Sequence, residues 1–190
     1  MIILMGLAGS GKSTQGKMLA EETGKVWLSA GQVLRDTGEF DEVMNQGALV
    51  DDRLTVKLMA QKMAEVVRSG KDAILDGFPR DVDQAEWIAE NIVSVIKLIV
   101  RIKVPKKELL RRLELRGRED DLSRRAVEQR FQIVEQNING VCAILAAKGV
   151  TVREIDGTGT PEEVFERLKA EVLAVEGLAT MEMTEIEEDE

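Results

Sequence analysis

The chain has 190 residues, 44% hydrophobic and 32% charged, which suits one globular domain able to bury a core without metal or disulfide support. No apolar run reaches the length of a membrane span, and the chain opens directly into an apolar strand, so no leader segment is expected. The formal net charge of −9 argues against nucleic acid as a general partner. There is no histidine, and the single cysteine, Cys142, falls at an apolar helical position. A reducing, cytoplasmic setting is expected, with any chemistry carried by Lys, Arg, carboxylates and metal.

In chain order, residues 1–5 predict a first strand, and a helical pattern through Met18, Leu19 and Glu21-Glu22 follows a glycine-rich loop. Residues 25–29 predict a second strand; 30–37 and 39–46 predict short helices stopped by Gly38 and Gly47. Asp51 is a candidate N-cap for a helix to Arg68, with Leu54, Leu58, Met59, Met63 and Val66 on one face. Residues 72–76 predict the third strand, and a helix from Asp81 carries Trp87, Ile88 and Ile92. Residues 95–104 predict the fourth strand, 106–116 and 121–148 two helices, 150–155 the fifth strand, and 161–175 a last helix with Pro161 in its first turn. Five strands separated by helices predict a three-layer α/β fold with a parallel sheet. Residues 1–176 form the expected single domain. Residues 177–190 hold six carboxylates and no base, the composition of a disordered solubilising tail; a regulatory tail folding back on a basic site is the alternative.

The first strand runs into Gly6-Leu-Ala-Gly-Ser-Gly-Lys-Ser-Thr14, which fits the phosphate-binding P-loop pattern G-x-x-x-x-G-K-[ST]. Glycine lets the backbone close into a ring of N–H donors around a phosphate. Gly9, Ser10, Gly11, Lys12, Ser13 and Thr14 are the expected nucleotide-binding residues. Lys12 brings charge to the β/γ-phosphates, Ser13 a hydroxyl for Mg²⁺, and the following helix its positive end. The motif sits between a strand and a helix as its mechanism requires, so a nucleoside triphosphate is the expected ligand.

Ligands in such sheets bind beyond the carboxyl ends of the strands. There the chain places Ser29-Ala-Gly31, Asp76-Gly-Phe-Pro-Arg80 and Asp156-Gly157. Asp76 ends an apolar strand, where a carboxylate would face the loop and hold Mg²⁺ directly or through water. Arg35, Arg80, Arg116, Arg118 and Arg130 are candidates to clamp phosphates. Singly each reads as a surface arginine; together they fit phosphoryl transfer, which is catalysed mainly by alignment and charge.

These strings, with Lys12-Ser-Thr-Gln15, Leu28-Ser-Ala-Gly31, Leu34-Arg35, Gly47-Ala-Leu-Val-Asp-Asp52, Gln84, Arg116-Gly-Arg118, Asp120-Asp121, Asp156-Gly-Thr-Gly159 and Val164, resemble the adenylate kinase family of nucleoside monophosphate kinases, collinearly over about residues 1–175. The resemblance implies a P-loop NTPase-type fold and the Mg²⁺-dependent reaction ATP + AMP ⇌ 2 ADP in a monomer. It implies that Lys12 holds the transferring phosphate and that Arg35 and Arg80 bind the monophosphate. It also implies that Arg116, Arg118 and Arg130 cover the phosphoryl group from a lid at 116–121. Residues 30–59 would be the monophosphate-binding segment, with Ala30, Gly31 and Gly77 at the acceptor, Val50 lining the base pocket and Gln84 bonding the base.

Several positions depart from the family. Ser13 stands where the family usually has glycine, which makes it a specific candidate for Mg²⁺; Gln32 and Asp51 replace the usual acid and proline. Ala30 is a habit of UMP/CMP kinases, whereas Gln84 favours AMP because its amide both donates and accepts. The lid is cut down, the Arg118–Arg130 spacing is slightly long so that Arg124 or Arg125 could substitute, and with no Cys cluster no zinc is expected. So short a lid is expected to leak ATP hydrolysis or to need help from another element. AMP is the favoured acceptor; a UMP/CMP kinase and a non-catalytic nucleotide-binding regulatory protein are the alternatives.

Overall fold

Alternation along the first strand, β1 (Ile2–Met5), sets the layers. Ile2 and Leu4 pack into one cluster with Leu19, Phe165 and Leu168, and Ile3 and Met5 into another with Met59, Ile88, Val141 and Leu145. All four strand residues are buried, so β1 has a helical layer on each side, as a parallel sheet requires. The computed structural model describes residues 1–38, 51–117 and 124–188, and their side chains except at Asp52, Ala126, Arg130 and 178–188.

The remaining strands are β2 (Val26–Ser29), β3 (Ala73–Asp76), β4 (Leu98–Lys103) and β5 (Thr151–Asp156). They form a five-stranded sheet in the order β2-β3-β1-β4-β5, every pairing parallel, so the expected three-layer fold is present. The described helices are α1 (Lys12–Thr23), α2 (Ala30–Arg35), α3 (Asp52–Arg68), α4 (Val82–Asn91), α5 (Lys106–Arg116), α6 (Arg124–Ala146) and α7 (Pro161–Glu188). The first face of the sheet is covered by α1 and α7, the second by α3, α4 and α6. A small third cluster, Leu109, Leu113, Val127 and Phe131, joins α5 to α6 and receives Leu7 and Ala8 of the glycine-rich loop. The strand order reverses at β1, so the crevice beyond its carboxyl end is the switch point of the sheet.

Local chemistry explains most boundaries. Asp51 caps α3 by accepting from Leu54 N at 3.1 Å, and Asp81 caps α4 by accepting from Gln84 N at 3.0 Å. Two described boundaries differ from expectation by more than two residues. β4 begins at Leu98 rather than at residue 95, because Val93–Val95 is a 3₁₀ turn and Val95 is 43% exposed. The last helix runs to Glu188 where it was expected to end at Val175. Past Val175 the segment has Gly177 as its sole breaker and is otherwise rich in Glu, Leu, Ala and Met, which are strong helix formers. The expected helix at 39–46 and the start of the helix expected from Asp121 lie outside the described residues.

One close approach fixes α1 against the sheet. A Cβ on Gly16 would lie 2.5 Å from Trp27 Cδ1 and 2.8 Å from its Nε1. The ring is held in turn by Lys17, whose Nζ lies 4.8 Å from its centroid. Replacing Gly16 by alanine must push the indole aside, and overpacking of this kind destabilises by about 1–3 kcal/mol. A Gly16→Ala variant should therefore unfold at a lower urea midpoint with an unchanged m-value. An unchanged midpoint would show that helix and ring do not meet this closely.

Candidate active site

At the end of β1 the chain turns through Gly6–Gly11 into α1. Gly6 has φ +150° and a Cβ there would sit 2.7 Å from the Ile102 carbonyl oxygen, while Gly11, which precedes the helix, has φ +95°. Side chains are excluded at the first by backbone contact and strained at the second. Ser10 N donates to Leu7 O at 3.1 Å, which closes the loop on itself. Lys12 Nζ reaches back to donate to Gly6 O at 2.7 Å and Leu7 O at 3.0 Å. The ammonium is thus stationed over the loop.

Ser13 Oγ donates to Asp76 Oδ2 at 2.7 Å, and Asp76 is only 3% exposed. Asp76 is paired in register with Leu4 of β1 and Ser29 of β2, so its carboxylate comes from the centre of the sheet. A hydroxyl and a carboxylate together are hard oxygen donors of the kind Mg²⁺ takes, with phosphate oxygens and water completing its shell. No cluster of three or more Asp, Glu, Cys or His side chains able to hold a metal occurs among the described residues. A cation here would therefore depend on the nucleotide for its remaining ligands.

The loop faces a cavity of about 780 Å³, within the range of small-molecule sites. It is lined by Gly9, Ser10, Gly11, Lys12, Ser13, Thr14 and, further along α1, Lys17, together with Glu108, Arg111, Arg112 and Arg116 of α5 and Gly157, Gly159 and Thr160 beyond β5. The last segment is held tightly. Gly157 N donates to Lys103 O at 2.8 Å, and Arg167 Nη1 donates to the carbonyls of Asp156 and Thr158 at 2.8 and 2.7 Å. Thr160 and Glu163 form a reciprocal capping box at the start of α7. The amide and hydroxyl of Thr158 hold the Asp156 carboxyl below its usual range.

A second basic grouping forms around Gly31. A Cβ there would lie 3.4 Å from Arg80 Nη2 and 3.5 Å from Arg35 Nη1 and Nη2, so the two guanidinium groups flank one glycine that leaves room for them. Arg80 Nε donates to Gly77 O at 2.7 Å, and Arg80 N to Gln84 Oε1 at 2.8 Å. Ala30 and Gln84 are buried beside them, 0% and 1% exposed.

The structure thus gathers the expected loop residues and Arg116 at one cavity, and Ala30, Gly31, Arg35, Gly77, Arg80 and Gln84 at a second grouping, with Ser13 and Asp76 in contact. Val50 and Arg118 lie outside the described residues, and Arg130 falls on α6 with its side chain outside them. Glu108, Arg111 and Arg112 are cavity residues that sequence reasoning passed over. Their signal was the spacing Glu108, Arg112, Arg116, which puts an acid and two bases on one face of α5. Glu108 accepts from Arg111 and Arg112, and these two guanidinium groups, Arg111 first, pull its carboxyl down to about 2.

Comparison with known proteins agrees with this geometry. The sequence family described as adenylate kinase matches residues 4–150. The chain is 35% identical to the adenylate kinase of Thermus thermophilus over 184 residues, covering 89% of this chain and 95% of that one. It is 30% identical to an adenylate kinase of Prochlorococcus marinus over 175 residues, covering 86% and 93%. To UMP-CMP kinase 1 of rice, Oryza sativa subsp. japonica, it is 34% identical over 182 residues, covering 90% and 72%. With a P-loop, a second arginine grouping and this extent of similarity in one collinear chain, the protein belongs to the adenylate kinase family.

Proposed function

We propose that the chain is an ATP-dependent nucleoside monophosphate kinase that reversibly transfers the γ-phosphoryl group of ATP to AMP, giving two ADP. The observation that supports this reading is two separate cationic groupings, Lys12 on its loop and Arg35 with Arg80 around Gly31, joined through the Ser13–Asp76 contact. A switch or a simple hydrolase needs only the first.

Each residue then has a physical task. The loop amides and Lys12 hold the transferring phosphate, and the positive end of α1 supports them. Arg35 and Arg80 neutralise the acceptor phosphate so that two anions can approach in line. Arg116 adds charge from the cavity wall, and Arg118 and Arg130 are its proposed partners in covering the phosphoryl group. Gln84 bonds the acceptor base; because its Oε1 also accepts from Arg80 N, base and phosphate recognition share one rigid segment. Val50 is the proposed apolar wall of that pocket. Ser13 and Asp76 would hold Mg²⁺, which when bound supplies charge to the β- and γ-phosphates. The absence of histidine fits a transfer that proceeds by alignment without a strong base.

A UMP/CMP kinase is the second reading, favoured by Ala30 and by the similarity to the rice enzyme. No helix among the described residues is long and apolar enough to cross a membrane, and we place the protein in the cytoplasm as a monomer acting on free nucleotides.

Incubation with Mg·ATP and each of AMP, CMP, UMP and GMP should give the highest kcat/KM with AMP. CMP or UMP performing as well would overturn the acceptor assignment, and no transfer to any of them the enzyme assignment. Arg80→Ala should lower kcat/KM by about 100-fold or more, the scale of losing a positioned charge that is needed in the transition state. Ser13→Ala should raise the Mg²⁺ concentration for half-maximal activity several-fold, read from an activity titration starting in EDTA. An unshifted Mg²⁺ titration would remove Ser13 from the metal.

A further inference from the structure

An acid in the wall of a cavity built for a triphosphate is a contradiction that charge alone does not resolve. Glu108 lines the same cavity as Lys12, Lys17 and the loop, where a bound nucleotide would bring several negative charges. At such a position a carboxylate repels the ligand, and its removal should improve binding if electrostatics were its only effect.

The geometry gives the acid another task. Arg111 Nε donates to Glu108 Oε2 and Arg111 Nη2 to Glu108 Oε1, both at 2.8 Å, the side-on pairing that fixes a guanidinium plane. Arg112 Nε donates to Glu108 Oε1 at 2.8 Å, and Arg112 Nη2 donates to the Gly157 carbonyl at 3.0 Å. These bonds span from α5 to the segment after β5, across one end of the cavity. They also leave Arg112 Nη1 without a protein partner among the described residues, on a side chain that lines the cavity and is 22% exposed. A long arginine side chain loses rotamer freedom when it is ordered. A carboxylate that orders it in the free protein removes that cost from nucleotide binding.

We propose that Glu108 is a positioning residue of the donor-nucleotide cavity, holding Arg112, with Arg111 beside it, in the orientation that meets the bound nucleoside triphosphate. This rests on the assignment of the cavity to ATP made above. Glu108 itself touches no substrate; it acts through Arg112. Its own negative charge is more than offset by the two guanidinium groups, so the trio presents a net positive charge.

The test is the sign of an affinity change. Titration calorimetry of Mg·ATP without acceptor, on the full chain, should show weaker binding for Glu108→Gln by about three- to fivefold, the scale of a partly exposed ion pair. The KM for ATP should rise by a similar factor while the KM for the acceptor stays put. Glu108→Ala and Arg112→Ala should not multiply: the double variant should bind ATP no more weakly than Arg112→Ala alone. Equal or tighter ATP binding by Glu108→Gln would overturn the proposal, as would multiplicative effects or a wild-type affinity for Arg112→Ala. Should Glu108→Ala unfold, Glu108→Gln keeps the shape of the side chain and carries the test, with its urea midpoint as the control. ATP binding without transfer to any monophosphate would sink the kinase reading and leave Glu108 in place; a wild-type protein that binds no ATP would sink both.

Discussion

The hydrogen bond from Ser13 Oγ to Asp76 Oδ2 is where the two halves of this molecule meet. Ser13 lies in the first turn of α1 and belongs to the phosphate loop; Asp76 ends β3 and leads directly into Gly77–Arg80. Because β3 is the neighbour of β1 in the sheet, a residue 63 positions away in sequence arrives beside the loop. The contact ties the loop to the end of the strand that leads into Arg80. Burial of Asp76 strengthens this constraint, since a carboxylate removed from water must keep its partners.

The charge distribution follows from what must be held. The chain is acidic overall, yet cations are concentrated at the carboxyl end of the sheet: Lys12 and Lys17 on α1, Arg35 after β2, Arg80 after β3, and Arg111, Arg112 and Arg116 on α5. Several of these spend their hydrogen bonds on backbone carbonyls, as Lys12 does with Gly6 and Leu7, Arg80 with Gly77, and Arg112 with Gly157. Such contacts hold a cation in place without neutralising it, which preserves its field for an anionic ligand. Arg111 pairs side-on with Glu108, and Arg112 shares the same carboxylate through its Nε.

The far wall of the cavity is fixed by equally local means. Arg167 and the Gly157–Lys103 contact tie the segment after β5 to the sheet, and Gln15 Nε2 donates to Pro161 O at 2.9 Å, joining α1 to the first turn of α7. A ligand between the loop and this wall therefore meets surfaces anchored to the same five strands. Preorganisation of that kind reduces what binding must order.

Much of this was readable in one dimension because it depends on short-range rules. A glycine-rich loop between an apolar strand and a helix has one well-known spelling, and short apolar runs and helical patterning placed β1, β3, α3 and α5 closely. Caps such as Asp51 depend on a side chain three residues from its partner, so sequence suffices for them too. The β4 boundary was misread because apolar content alone does not separate an exposed 3₁₀ turn from a strand, and the extent of α7 because a charged segment can still have high helix propensity. What only the tertiary structure decided is which distant residues converge. Motifs led to the expectation that Asp76 faces the loop and that Arg35 and Arg80 share one site, but the actual contacts, Asp76 on Ser13, the two arginines around Gly31 and Arg112 on Gly157, are set by strand order and side-chain reach. Neither leaves a periodic trace in the chain. The role open to Glu108 divides between the two: helical spacing pairs it with Arg111 and Arg112, and only the fold turns that trio towards the cavity.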